Sequence, residues 1–219
     1  MSYILVSKKK WNVENFKKLN KKIFYTKKIN QNIIKKIKPK IIFFLHWSKK
    51  IEKNIYSKNL CIQFHCSNLP SFRGGSPIQN QILNGVKKTK LTAFKMNDKI
   101  DAGEICLKKN LSLNGKASCI YERIEQTAIN MISIIIKKKN IKFIKQKGKV
   151  KYCKRRKEEE SNLLSLNHLT VKNVYDFIRM LDATDYPEAF LNLQKYKIFF
   201  KNAKFNKNKI NGEFKIIKK

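Results

Sequence analysis

The sequence predicts an α/β fold: a mostly parallel, twisted sheet carrying the functional residues, followed by a small α+β extension. Three observations predict it. Strand-length apolar runs such as Tyr3–Val6 and Ile41–Leu45 are continuous, not alternating, as strands buried on both faces require. Segments with helical spacing separate these runs, which is the strand–helix alternation of a parallel sheet. After Gly148 the pattern changes to a charge run, one amphipathic helix and a hairpin-like stretch. The chain therefore divides into residues 1–148 as one domain and 149–219 as a small C-terminal domain.

In chain order, residues 2–7 read as a strand, and Val13–Leu19 as a helix with apolar residues three apart. Ile23–Tyr25 is a second strand and Ile29–Ile37 an amphipathic helix broken by Pro39. Ile41–Leu45 is a buried strand ending in His46-Trp47-Ser48. A short helix over Ile51–Tyr56 precedes another strand, Leu60–Phe64. Ser67–Pro77 holds two of the four prolines and two of the seven glycines, yet also Leu69, Phe72 and Arg73, so it is a structured loop and not a linker. Ile78–Asn84 is a helix stopped by Gly85. Lys90–Lys95 and Cys106–Leu113 are extended, around a polar loop from Asn97 to Gly103. Ala117–Lys138 is the longest amphipathic helix. Val171–Leu181 is another helix, Asp185-Tyr186-Pro187 a turn, and Phe190–Phe205 a hairpin or meander.

A hydrophobic fraction of 42% across 219 residues suits a globular protein with one good core. No apolar run approaches the ~18 residues that cross a bilayer, and Met1–Val6 lacks the basic start and length of a signal peptide. The expectation is a cytoplasmic protein with no membrane partner. Five scattered cysteines without C-x-x-C spacing fit buried small hydrophobes, and His46, His65 and His168 show no metal-ligand spacing, so no metal is expected. The net charge of +35 invites a nucleic-acid reading. But the cations are nearly all lysines, spread end to end with abundant Ile and Asn, as compositional drift produces. The five arginines are Arg73, Arg123, Arg155, Arg156 and Arg179. Either origin gives a field that attracts anionic ligands.

Three features carry chemistry. His65 follows the strand Leu60–Phe64 at its C-terminal end, where ligands bind in open α/β sheets, and an imidazole there accepts protons near neutral pH. The Pro70–Pro77 loop offers backbone amides at Gly74 and Gly75 and the fork of donors on Arg73. Asp101, 36 positions after His65, is a carboxylate able to orient a histidine. Taken singly, each has an ordinary reading: a hydrogen-bonded structural histidine, a Gly-Pro loop with a surface arginine, an Asp-Ala-Gly turn.

Together they point to a family. Gln63-Phe64-His65-Cys66-Ser67-Asn68-Leu69-Pro70 with Arg73-Gly74-Gly75-Ser76-Pro77, and then Met96 to Glu104, resembles the two ordered signatures of the N10-formyltetrahydrofolate-dependent formyltransferases. The resemblance covers Ile41–Leu113 strongly. It implies a Rossmann-like formyltransferase domain using N10-formyltetrahydrofolate as formyl donor. It implies His65 as general base, Asp101 assisting it, and Gln63 at the position of the family's catalytic asparagine. The added methylene of Gln63 is a departure, displacing the amide by about one bond where ~1 Å matters. Folate would lie against His46, Trp47 and Ser48 and against Asn97, Asp98, Lys99 and Ile100. The acceptor would lie against Ser67, Arg73, Gly74 and Gly75.

The acceptor is read from the tail. Lys154-Arg155-Arg156-Lys157-Glu158, the segment from Val174 to Ala183 and Tyr186-Pro187-Glu188-Ala189-Phe190 resemble formyltransferases acting on amino-sugar nucleotides, with Arg155 and Arg156 as further acceptor contacts. That resemblance implies a role in surface polysaccharide biosynthesis and a homodimer. Methionyl-tRNA formylation is the alternative, favoured by charge and disfavoured by the short tail. A non-catalytic folate- or RNA-binding protein of the same fold is a second alternative.

Overall fold

The computed structural model describes residues 1–8, 23–184 and 186–219. The helix expected over Val13–Leu19 and Asp185 of the expected turn lie outside the described residues. The elements, numbered among those described, begin with β1 (Tyr3–Val6), β2 (Ile23–Thr26), α1 (Gln31–Ile37), β3 (Ile41–Phe44), α2 (Lys53–Tyr56) and β4 (Cys61–His65). They continue with β5 (Arg73–Gly74), α3 (Pro77–Leu83), β6 (Lys88–Lys95), β7 (Ile105–Ser112), α4 (Ala117–Lys137) and β8 (Tyr152–Cys153). Two short 3-10 turns, α5 (Val171–Leu181), β9 (Ala189–Asn192), β10 (Tyr196–Asn206) and β11 (Lys209–Lys218) complete the chain.

The main sheet has the order β2-β1-β3-β4-β6-β7. β1 pairs in parallel with β2 and β3, and β3 with β4; β6 and β7 add antiparallel at the far edge. The chain order reverses at β1, flanked by β2 on one side and β3 on the other. This makes the carboxyl ends of β1 and β3 the switch point at which α/β sheets bind ligands.

Side chains alternate along each strand, and here both alternating sets are apolar. Leu5, Phe43, Ile62 and Phe64 face one core with α4 and α5; Ile4, Val6, Ile42 and Phe44 face a second core with Ile34 of α1 and Ile55 of α2. That two-sided burial explains the continuous hydrophobic runs. α1 starts where the Asn30 side chain accepts from Ile33 N at 3.0 Å, and stops at Lys38, left-handed with φ of 48°, just before Pro39. α4 buries Ile120, Ile124, Ala128, Met131, Ile132 and Ile135, one face at spacings of three and four. Emptying such a site, as in Ile124→Ala, costs about 2–5 kcal/mol.

Three features depart from the expectations. Arg73–Gly74, inside the expected loop, forms a parallel pair with Tyr152–Cys153, inside the expected charge run. β9, β10 and β11 form one antiparallel sheet, so a third strand, Lys209–Lys218, follows the stretch that reads as a hairpin. Leu163, Phe177, Met180, Leu181 and Ala189 belong to the same core as Leu5 and Phe43, so that core is continuous across residue 148.

Candidate active site

Gln63 and His65 are two apart on β4 and so share a face, opposite Ile62 and Phe64. His65 is 6% exposed, at the C-terminal end of the strand. Its Nε2 lies 2.7 Å from the carbonyl oxygen of Phe72. A carbonyl only accepts, so Nε2 carries a proton, and in the neutral ring the lone pair sits on Nδ1. Nδ1 faces Asp101 Oδ2 at 3.4 Å. A proton placed on Nδ1 would lie between the ring and that carboxylate.

Asp101 is 8% exposed and has a left-handed φ of 49°, uncommon for a residue with a side chain. Its Oδ2 also accepts from Gly74 N at 2.8 Å. It sits just before the β6–β7 connection re-enters the sheet, where the register shifts by one residue between Ala93 and Phe94. Such bulges re-aim a strand next to functional sites. The negative charge of Asp101, after burial, helps push the Cys66 thiol up to about 12.

The loop from Ser67 to Gly75 is held from several sides. Ser67 is fully buried: its hydroxyl donates to Ser71 O at 2.6 Å and its carbonyl accepts from Thr92 Oγ1 at 2.6 Å. Lys108 Nζ donates to Asn68 Oδ1 at 2.7 Å and Leu69 O at 2.6 Å; burial, then the charge of Lys90, lowers its pKa. Gly74 and Gly75 are glycines because their own chain crowds them. A Cβ on Gly74 would lie 2.4 Å from Cys153 O, and one on Gly75 2.4 Å from Arg155 Cα. Arg73 is 9% exposed, and its guanidinium donates to Gln146 Oε1 from Nη2 at 2.7 Å and from Nε at 3.3 Å. Gln146 in turn donates from Nε2 to Asp101 O and Gly103 O, both at 2.8 Å.

Of the residues expected to meet folate, His46 and Trp47 follow β3 at the switch point. Trp47 packs against Phe44, and its ring lies 5.6 Å from Lys8 Nζ. Its buried Nε1–H has no hydrogen-bond partner among the described residues. Gln63 Nε2 points at Trp47 O across 3.5 Å, a long contact that leaves the amide available. Ser48 and Asn97 to Ile100 are exposed; Met96 packs against the same core as Trp47, which brings that loop to the same rim. Arg155 is exposed. Arg156 is half-buried: its guanidinium lies 5.6 Å from the Phe177 ring centre and donates to Glu160 O, and its backbone N donates to Ser76 Oγ at 3.1 Å. Arg179, read from the sequence as a possible acceptor contact, is 8% exposed and bonded to Asp176 Oδ1, Leu113 O and Gly115 O.

With His65, Asp101 and Gln63 gathered at one strand end, the comparison with known proteins is decisive. The sequence pattern described as formyl transferase matches residues 7–136. The chain belongs to the formyl transferase family. Residues 158–217 of this formyl transferase chain match the pattern described as the C-terminal domain of methionyl-tRNA formyltransferase. Methionyl-tRNA formyltransferase of Mycoplasma capricolum is 32% identical over 148 residues, 65% of this chain and 46% of that protein. The chain spans about half the length of the curated relatives it matches. The solved methionyl-tRNA formyltransferase from Clostridium thermocellum superposes with a TM-score of 0.91 at 36% identity, covering 100% of each chain. A 4-N formyltransferase from Francisella tularensis matches with a TM-score of 0.70 but 15% identity, covering 88% of this chain and 93% of that one, which is a likeness of fold alone.

These findings overturn the amino-sugar nucleotide as acceptor, and with it polysaccharide biosynthesis. The tail matches the tRNA enzymes' C-terminal pattern, and the similarity to the sugar enzymes stops at fold.

Neither Gln146 nor the Phe72 carbonyl stands out in the sequence. Gln146 sits in Lys145-Gln146-Lys147, a stretch with no local signal, and its importance comes from contacts to residues 45 and 73 positions away.

Proposed function

We propose that this chain transfers a formyl group from N10-formyltetrahydrofolate to the amine of the methionyl group on aminoacylated tRNA. The observation that carries the reading is the buried His65–Asp101 pair beside Gln63, in a chain that matches a methionyl-tRNA formyltransferase structure along its whole length.

The donor fits the residues present. Trp47 Nε1–H, without a hydrogen-bond partner among the described residues, supplies a donor near Gln63, and Asn97 to Ile100 follow Met96, which packs on the same core as Trp47. When bound, the donor supplies an activated formyl carbonyl. His65, as general base, and Asp101 then take up the proton released by the attacking amine as a pair, the proton lying between Nδ1 and Oδ2, which are 3.4 Å apart. In this reading Gln63 Nε2 donates its N–H to the negative charge growing on an oxygen, despite its extra methylene; its long 3.5 Å contact with Trp47 O supports that availability. The low exposure of His65 and Asp101 keeps bulk water from screening these interactions. In this reading the +35 charge serves a polyanionic acceptor, and the protein works in the cytoplasm, where charged tRNA is found.

The test is mass spectrometry of methionyl-tRNA incubated with the protein and N10-formyltetrahydrofolate. A gain of one formyl group on the methionyl amine supports the proposal. No gain, with folate still bound, replaces it with a non-catalytic binding protein of the same fold.

A further inference from the structure

We propose that Gln146 is a positioning residue for the reactive centre: its single amide locks the Asp101 backbone to the Arg73 loop, and so fixes the carboxylate that faces His65. The inference rests on the formyl-transfer reading for its consequence, but its geometry is independent of that reading.

A glutamine amide has two donor hydrogens and one oxygen with two lone pairs. In Gln146 all four are used. Nε2 donates to the carbonyls of Asp101 and Gly103, each at 2.8 Å. Oε1 accepts from Nη2 of Arg73 at 2.7 Å and from Nε at 3.3 Å. The two segments it joins are those whose separation sets the His65–Asp101 geometry. One carries Asp101, whose φ of 49° is held by its surroundings and not by its own preference. The other carries Gly74, whose N–H donates to Asp101 Oδ2, and Phe72, whose carbonyl holds the opposite nitrogen of His65. The ring is thus clamped between Phe72 O and Asp101 Oδ2, and Gln146 spans the two sides of that clamp.

Arg73 gives the arrangement its direction. It is 9% exposed, and the hydrogen bonds shown for its guanidinium go to neutral groups, the Gln146 oxygen and, at 3.5 Å, the Tyr152 hydroxyl. A buried cation polarises the amide whose oxygen it contacts, and strengthens donation from the amide's nitrogen. Glutamate at 146 would keep the acceptor for Arg73 but present a second carboxylate oxygen to two carbonyls that only accept. Alanine would remove all four bonds.

The experiment has two readouts on the full-length protein, with Gln146→Ala and Gln146→Glu each confirmed as folded by circular dichroism. The first is hydrogen exchange at the Gly74 amide, followed by NMR, which needs no turnover. Exchange at least tenfold faster in both variants is expected; unchanged protection in either overturns the inference. The second is a double-mutant cycle on methionyl-tRNA formylation. Gln146→Ala should lower kcat at least tenfold with little change in KM for tRNA, and should have less than a twofold effect when Asp101 is already alanine. Equal losses in both backgrounds would mean a general structural role and would sink the proposal. Wild-type protein that does not formylate defeats the proposed function instead, and the Gly74 readout still decides the role of Gln146.

Discussion

Gly103 offers the sharpest test of how tightly the Asp101 loop is fitted to the sheet. A Cβ built there would lie 1.6 Å from the carbonyl oxygen of Lys95 and 2.8 Å from its carbon. A real Cβ essentially never approaches another heavy atom within 3.0 Å, so Gly103→Ala forces the backbone apart by about 1.4 Å. The obstruction is main chain and cannot swing aside. The displacement falls two residues from Asp101, on the carbonyl that Gln146 holds and next to the Lys95 N to Glu104 O bond. Overpacking of this kind costs about 3 kcal/mol, or roughly 6–12 °C in melting temperature for a chain of this size. A shift above 1 Å in a reactive pair lowers kcat/KM by about 100-fold. The control is Gly85→Ala, where no atom lies within 4 Å and only the positive φ of 72° is strained. It should cost about 1 kcal/mol and leave turnover intact. Melting by calorimetry and formylation of methionyl-tRNA measure both variants. If Gly103→Ala melts and turns over like Gly85→Ala, the tight coupling of this loop to the reactive pair is wrong.

Four further outcomes are expected. Gln63→Leu, which removes the amide, should lower kcat by about 100-fold or more; a wild-type rate for Gln63→Leu in steady-state assays removes Gln63 from the reaction. Arg179→Met leaves the buried Asp176 carboxylate with Lys172 as its ion-pair partner among the described residues and takes a donor from two carbonyls. It should cost about 3 kcal/mol in denaturant titration without raising KM for tRNA, and a raised KM at unchanged stability would restore Arg179 as an acceptor contact. Binding of tRNA, measured by filter retention, should weaken about tenfold or more between 50 and 200 mM salt; a flat response would make the +35 charge irrelevant to the partner. Burial pushes the Cys61 and Cys66 thiols to about 12, so at pH 8 neither forms thiolate, while exposed Cys119 should react with a thiol reagent within minutes. Raising the pH exposes their reactivity only toward that value or on unfolding, and fast labelling of Cys66 in the native state would contradict the buried position next to His65.

The parallel core was legible because its signal is local. Ile41–Phe44 cannot alternate when Ile42 and Phe44 meet one layer of helices and Ile41 and Phe43 the other. The pairing of Arg73–Gly74 with Tyr152–Cys153 was not, since each partner is two residues long and lies in a loop-like or charged context. β11 was missed for a related reason. Glu213-Phe214-Lys215-Ile216-Ile217 is wholly exposed, so burial never imposed a two-residue period on it. His65 and Asp101 were legible as motif residues. The link between them, through Gly74 and Gln146, was not, because a glutamine's value depends on which carbonyls it reaches.

The acceptor was misread from the resemblance of the tail, Lys154 to Glu158 with Val174 to Ala183 and Tyr186 to Phe190, to the sugar-nucleotide enzymes. A basic run before a helix suggests contact with an anion, but a guanidinium is equally at home over an aromatic ring while donating to a carbonyl. Arg156 does this over Phe177, with Glu160 O as its acceptor, and its backbone is tied to Ser76 at the start of α3. Arg179 is further inside, closing the end of β7 onto α5 through Leu113 and Gly115. Both arginines therefore join the C-terminal segment to the catalytic sheet, a task independent of which acceptor is bound. The contacts of Arg156 and Arg179 favour neither a sugar-nucleotide nor a tRNA acceptor. What separates the two classes is the sequence pattern of residues 158–217 as a whole.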